Sequence, residues 1–398
     1  MMKRTILILA SLLLINRPSI IAQEAPEAEL YLLTCGPGTE TYSIYGHSAL
    51  RVVIPGKNSD TVYNWGIFDF STSNFAWKFA KGRLKYSLGV SSYDRFLKEY
   101  LGEARWVVSQ KLNIETDEIR KIFDLISENL KPENVSYKYD FFYDNCSTRI
   151  RDLIEKALGD KMLYPPEKPS RELMTFRELI GKYEKGYPWY QLGTDLLIGS
   201  PADKKASFRN TMFLPLELKD GLSECLVRRE GKMIPLLSDP ELVVDFPSPA
   251  AKERLLLSPL FILSLLLIAM IIITSTLRTR KVNDIIDIVL FSVFSGLAIL
   301  MIFFNFFADH IETKWNLNIV WLSPFIFLCL VSLILKKDWS IWFRVVFFIT
   351  AAFLAFIVIL PQDINNASVP LVLIIMLRSS IRSDFRWNPL TLPYLTQL

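Results

Sequence analysis

A thiol needs a base, or a strongly positive surrounding, before it can act as a nucleophile at neutral pH. This sequence offers few of either. Among its 398 residues are four cysteines, Cys35, Cys146, Cys225 and Cys329, and two histidines, His47 and His310. Cys146 stands in Asp144-Asn145-Cys146-Ser147-Thr148-Arg149. Directly after it, Ile150, Leu153, Ile154, Ala157 and Leu158 recur at helical spacing, and Gly159 ends the run. The spacing predicts a helix over 147–158. A cysteine at a helix start sits near unpaired backbone N–H groups and the positive end of the helix dipole, which favour its anion. The same N–H groups could hold the oxyanion of a tetrahedral intermediate. Asn145 or Ser147 could cap the turn. Cys35 lies in Thr-Cys-Gly-Pro-Gly, Cys225 precedes apolar Leu226-Val227, and Cys329 is inside a long apolar run. None of the three has an activating surrounding.

The base must come from two histidines. His47 heads Gly46-His47-Ser48-Ala49-Leu50-Arg51, just ahead of a strand expected over 49–54 that would hold an imidazole rigidly. Taken singly, Cys146 reads as a small packed residue and His47 as a polar turn residue. Taken against the alternatives, they are the best thiol–base pairing in the chain. Such sites use a third polar group to orient the imidazole. On the next strand Asn64 is the leading candidate and Asp69 the second. There is no CxxC or HExxH spacing and no Gly-rich phosphate loop, so neither a metal nor a cofactor is expected, and nothing resembles a nucleic-acid motif.

The elements that must position these residues are mixed. Glu29–Thr34, Ala49–Ile54 and Thr61–Phe68 read as strands, and Thr116–Asn129 as an amphipathic helix. Residues 1–23 read as a secretory signal: Lys3 and Arg4 precede an apolar stretch, and Ala22 ends a plausible cleavage site. An exported domain then spans 24–235, and a Pro-containing linker spans 236–257. Apolar composition of 51% is high for a soluble chain of this length, and it concentrates after Ser258. Four runs have membrane length: Ser258–Thr276, Ile285–Phe307, Leu317–Leu335 and Phe343–Leu360. A shorter fifth run, Val369–Leu377, extends to Ile381. The loops after the first, third and fifth runs carry Lys and Arg, while those after the second and fourth carry Asp309, Glu312 and Asp363 against a single Lys314. The positive-inside rule then gives a membrane domain over 258–381, a cytoplasmic tail over 382–398, and an N-terminal domain on the outer side.

The order of a histidine on a strand followed by a cysteine at a helix start reverses the papain order. It resembles the circularly permuted papain-like enzymes, including the lecithin:retinol acyltransferase type. A closer likeness covers nearly the whole chain. The segments Leu32-Leu33-Thr34-Cys35-Gly36-Pro37-Gly38, Tyr45-Gly46-His47-Ser48-Ala49-Leu50-Arg51, Tyr63-Asn64-Trp65-Gly66 and Phe68-Asp69-Phe70 resemble the Lnb family, as does Tyr143-Asp144-Asn145-Cys146-Ser147-Thr148-Arg149-Ile150-Arg151-Asp152. In the membrane half, His310 with Asn316, Asn318, Trp321 and Pro324 resembles it too. The resemblance implies an α+β, permuted papain-like exported domain followed by an all-α bundle of about five transmembrane helices, in the inner membrane. It also implies transfer of an acyl chain from a phospholipid donor to the N-terminal amine of a diacylated lipoprotein. Cys146 would be nucleophile and His47 base, with Asn64 third and Asp69, Asn145, His310, Asn316 and Asn318 accessory. Two other readings suit the same residues: a papain-like cell-wall peptidase or amidase, and a non-catalytic binding or chaperone module.

Overall fold

The computed structural model describes residues 28–166, 173–249, 255–277 and 279–383. The expected signal segment, part of the linker and nearly all of the expected tail lie outside the described residues.

The strands form where apolar residues alternate. In β1 (Glu29–Cys35), Leu30 and Leu32 point to one face of the sheet, and Leu33 and Cys35 to the other. β1 pairs antiparallel with β2 (His47–Ile54), which brings Cys35 opposite His47. β3 (Ser59–Ile67) follows, then β4 (Lys85–Ser92), β5 (Val107–Lys111) and β6 (Ser136–Lys138). A second, three-stranded sheet contains β7 (Met162–Leu163), β8 (Leu226–Arg229) and β9 (Lys232–Pro235). The main sheet is completed by β10 (Glu241–Val244), in the order β10-β5-β1-β2-β3-β4-β6, with every pairing antiparallel.

β10 corrects one expected boundary. The segment 236–257 was expected to be a linker, yet Glu241–Val244 pairs with β5 and Val244 is buried. A Leu-Val-Val run after Pro240 has the composition of an edge strand, and the exposed edge of β5 supplies its hydrogen bonds.

One face of the sheet is covered by two helices, Thr116–Asn129 and Cys146–Leu158. Ile119, Ile122, Ile126, Ile150 and Ile154 pack there on Leu30, Leu32, Leu50, Val52 and Trp65. The opposite face is covered by the helix Tyr93–Gly102 through Phe96 and Tyr100. The result is an α+β domain with its central strands buried on both sides.

In the membrane half, four helices among the described residues are long and apolar enough to cross a bilayer: Pro259–Thr276, Arg280–Phe307, Asn318–Leu335 and Ser340–Ile359. The expected fifth span is a helix of 15 residues, Ser368–Arg382, below that length. Its polar side turns inward. Arg378 is buried and pairs with buried Asp287 at 2.6 Å, and Arg382 bonds Asp287 at 2.6 Å and Asp284 at 2.7 Å. A short helix with two paired arginines is held by its partners, not by lipid.

The loops after the second and fourth spans both pack on the N-terminal domain. Asp309 N–H donates to the Lys81 carbonyl at 2.8 Å, and Asp363 N–H donates to Asp203 at 3.0 Å. These are the two loops poor in positive charge, so they lie on the same side of the membrane as that domain.

Candidate active site

The helix Cys146–Leu158 begins at Cys146 itself, one residue earlier than the expected start. Asn145 is the cap. Its Oδ1 accepts from the Ser147 N–H at 2.8 Å and the Thr148 N–H at 2.9 Å, while its Nδ2 donates to the Phe141 and Phe213 carbonyls. Thr148 returns the favour by accepting from the Asn145 N–H at 2.8 Å. This narrows the expected anion site. The second and third amides of the helix are used by Asn145 and cannot hold an oxyanion. The Cys146 N–H is the helix-start donor that the cap does not use.

His47 opens β2, and Asn64 lies on the adjoining strand β3. His47 Nε2 donates to Asn64 Oδ1 at 2.5 Å. With Nε2 so engaged, Nδ1 is the nitrogen left for Cys146, which lies within hydrogen-bonding reach of the ring. Asp69 does not come to the imidazole. It lies beyond the end of β3, exposed, and accepts from the Ser71 N–H and hydroxyl at 2.8 and 2.6 Å.

Burial pushes the Cys146 thiol up, but the His47 charge and hydrogen bond outweigh it, helped by the Ser48 backbone and the Ser147 hydroxyl. The thiol therefore lies below its usual value. His47 moves the opposite way. Burial would lower it, yet the Cys146 charge and the Asn64 bond raise it above the ordinary imidazole value, against Arg105. Both shifts favour a thiolate beside an imidazolium. The other thiols of this half go up: burial pushes Cys35 and Cys225 each to about 12.

Replacing His47 by alanine leaves burial to dominate. The expected result is alkylation of Cys146 at pH 7 slower by roughly tenfold or more, with the pH midpoint moved upward, since each unit of thiol pKa is a tenfold change in thiolate. An unchanged profile in a stopped-flow iodoacetamide assay would show that His47 does not activate the thiol.

Gly66 keeps side-chain bulk away from the buried thiol. It takes φ +93°, and a β-carbon there would stand 3.7 Å from Cys146 Cβ, 4.0 Å from His47 Cε1 and 4.0 Å from Tyr139 Cε2. A larger residue would be strained and would fill the gap between thiol, base and Tyr139. Gly46, at φ +81°, is required for another reason: a β-carbon would lie 2.6 Å from the Cys35 carbonyl.

The sequence reading missed several supports. Tyr45, two residues before His47, lies 5.2 Å from the Phe141 ring and donates its hydroxyl to Glu184 at 2.6 Å. Burial pushes the Glu184 carboxyl to about 7, while the Tyr45 bond pulls it back. Tyr137 is buried near Cys146, with the Arg149 guanidinium 3.5 Å from its ring centroid. None of these could be found from spacing, because each meets its partner across distant segments.

The accessory residues of the membrane half do a different job. Asn316 Nδ2 donates to the Leu196 and Leu197 carbonyls at 2.7 and 3.0 Å. Asn318 Nδ2 donates to the Asp195 carbonyl at 3.2 Å, and its Oδ1 accepts from Trp321 Nε1 at 2.9 Å. These asparagines clamp the loop after the second span to the N-terminal domain. Gly199 allows the same approach, since a β-carbon there would lie 1.9 Å from the Lys314 carbonyl. His310 is a latch. Its Nε2 donates to the Phe79 carbonyl at 2.9 Å and its Nδ1 lies 3.4 Å from Glu312. Close by, Asp309 pairs with Arg83 at 2.9 Å and Lys138 at 3.7 Å, and Lys81 bonds the Phe307 carbonyl.

The latch should respond to pH. Burial would lower the His310 pKa, but Glu312 and the Phe79 carbonyl raise it above the ordinary value, with Lys314 opposing. A raised pKa in the folded state gives stabilisation that is complete below the unfolded value and is lost as pH rises through the folded one. Protection of the 309–313 amides, taken relative to the intrinsic exchange rate at each pH, is therefore expected to be greatest in mild acid and to fall as pH rises through the raised folded value. His310→Gln should flatten that dependence; an equal pH response in the variant would exclude the latch.

Fold and site together define a membrane-tethered α+β domain that carries a Cys–His–Asn cluster. Residues 22–181 match the Lnb N-terminal periplasmic domain, and residues 251–385 match the Lnb transmembrane domain. The chain belongs to the Lnb family: it is a lipoprotein-processing membrane protein whose N-terminal domain is periplasmic. No curated protein and no solved structure matches it.

Proposed function

We propose that this protein is an inner-membrane N-acyltransferase that moves an acyl chain from a phospholipid to the N-terminal amine of a diacylglyceryl-cysteine lipoprotein. The observation that carries the reading is the Cys146–His47 pair, held by Asn64 on a domain clamped to membrane helices. The Cys146 thiolate attacks the ester carbonyl of the phospholipid. The oxyanion is met by the Cys146 N–H, outside the Asn145 cap. As the tetrahedral intermediate collapses, the ester C–O bond breaks and the His47 imidazolium gives its proton to the leaving lysophospholipid alkoxide. An acyl thioester on Cys146 remains. The lipoprotein amine then attacks that thioester, His47 takes the amine proton, and the amide forms as the thiolate leaves.

Two features of the surroundings support transfer over hydrolysis. Both substrates are confined to the bilayer, and the site is tied to its surface, so neither has to be found from bulk solution. The gap at Gly66 is walled by Tyr139 and by the ring of Tyr86 behind it at 4.5 Å, which limits water near the thioester.

The test is the intermediate itself. The full-length protein in phospholipid nanodiscs is expected to gain the mass of one acyl group on Cys146, and a diacylated lipopeptide should discharge it with formation of an amide. No adduct, or an adduct released only as free fatty acid in the presence of the lipopeptide, would refute the reading. Release of muropeptides from cell wall would favour the peptidase instead.

A further inference from the structure

We propose that a row of aromatic rings guides one acyl chain of a phospholipid from the periplasmic leaflet to Cys146. This rests on the acyl-transfer reading and adds the route by which the donor arrives.

The row begins on the membrane. The second span ends in the π-helical turn Phe303–Phe307. Trp77, on the periplasmic helix Phe75–Ala80, lies 5.4 Å from Phe303 between ring centroids. On the same helix Phe79 stacks on Phe75 at 6.2 Å with the planes 8° apart, and Phe79 meets the span through the His310 ring, 6.4 Å from Phe79 and 6.4 Å from Phe304. From Phe75 the rings continue to Phe68 at 5.9 Å, from Phe68 to Tyr86 at 5.3 Å, and from Tyr86 to Tyr139 at 4.5 Å. Tyr139 is a wall of the gap at Gly66, beside the thiol. The track thus runs from ring to ring, and its two ends are the second span and the proposed nucleophile.

The outer part of the row is uncovered, while Phe75, Phe68, Tyr86 and Tyr139 are half-buried. Phe70, which packs on Phe68 and Phe75, is 66% exposed; Trp77 is 60% and Phe79 51% exposed. A domain facing only water does not leave such rings open together. Trp77 meets the span at Phe303, Lys81 beside it bonds the Phe307 carbonyl, and Phe306 and Phe307 are themselves exposed at the end of that span. That continuity selects lipid as the occupant over a protein partner. Charge agrees with it. Lys78 and Lys85 flank the rings and make no ion pair among the described residues, while Lys81 reaches back to the Phe307 carbonyl. A phosphodiester can rest on these ammonium groups while its chain lies along the rings. The His310–Phe79 bond and the close approach of Gly82 to His310 hold this helix against the bundle, so the track stays joined to the membrane.

The test uses the full-length chain with Cys146→Ser, so that labelling does not depend on turnover. It is placed in nanodiscs of phosphatidylethanolamine and phosphatidylglycerol containing a phospholipid with a diazirine in one chain. After irradiation, peptide mass spectrometry is expected to find adducts within 68–86 and at 139 as well as on the spans. Phe70→Ser with Trp77→Ser should reduce the 68–86 adducts at least fivefold. Adducts confined to the spans would overturn the proposal. With Cys146 intact, the same two exposed-site substitutions should slow acyl-adduct formation about tenfold or more while leaving Cys146 alkylation unchanged. Acylation at the parent rate would overturn it as well. The two readings fail separately: labelling without any acyl adduct in the parent sinks acyl transfer alone, and an acyl adduct without labelling along the rings sinks the route alone.

Discussion

Cys146→Ala is expected to leave lipoproteins with two acyl chains and a free amine in cells that rely on this protein, and His47→Ala to slow transfer by on the order of 10⁴-fold or more. The two losses should not add. The imidazole acts through the thiol, so the double variant is expected to be no slower than Cys146→Ala alone. Asn64→Ala should cost less, about 10- to 100-fold, because it loosens the ring without removing it. The measurement is mass spectrometry of lipoprotein N-termini together with rates of lipopeptide acylation in nanodiscs. Full N-acylation in the Cys146→Ala cells, with no redundant enzyme present, would refute the assignment. Losses for the two single variants that multiplied in the double variant would mean that His47 acts independently of the thiol. Nε2 of His47 is spent on Asn64, which fixes the ring and leaves one nitrogen for Cys146.

Asp287→Ala is expected to destabilise the membrane half by about 3–5 kcal/mol, the usual result of removing one partner of a buried ion pair. Arg378 is the reason. It is 1% exposed and holds Asp287 at 2.6 Å, Thr274 at 2.8 Å and Asn283 at 2.9 Å. Without Asp287, two arginines, Arg378 and Arg382, remain facing a position with no counter-charge except Asp284. The short helix Ser368–Arg382 depends on that pairing to stay with the bundle. Thermal unfolding in detergent should show the loss. The pair of substitutions Asp287→Leu and Arg378→Met should recover most of it, since exchanging both charges for apolar groups avoids the uncompensated one. Equal stability of Asp287→Ala and the parent would mean that the arginines reach water at that end of the bundle.

Much of the fold was legible because its signals are local. Apolar alternation placed the first strands to within a residue or two, and 3.6-residue spacing placed the helix Thr116–Asn129. The long apolar runs gave the membrane helices, and loop charge put the second and fourth loops on the outer side, where they touch the N-terminal domain. β10 was harder. A four-residue edge strand carries too little pattern to distinguish it from a linker, and only its pairing with β5 reveals it. The helix start offers fewer free amides than its position alone implies. Nothing local showed that Asn145 would take two amides at once, since its side chain is aimed by the Phe141 and Phe213 carbonyls.

By itself the sequence determined which residues are available: one thiol at a helix start, one histidine at a strand head, and a membrane half to hold them at a surface. These follow from residue type and short-range spacing, which the chain carries before it folds. Tertiary structure decided the rest. Asn64 and not Asp69 reaches the imidazole because β3 pairs with β2 in one register and ends at Ile67. His310, Asn316 and Asn318 hold the domain to the bundle because their partners lie more than a hundred residues away. The aromatic row exists only when β3, β4, β6 and the second span are brought together. Contacts of that kind depend on how separate elements pack, and no periodicity along the chain encodes them.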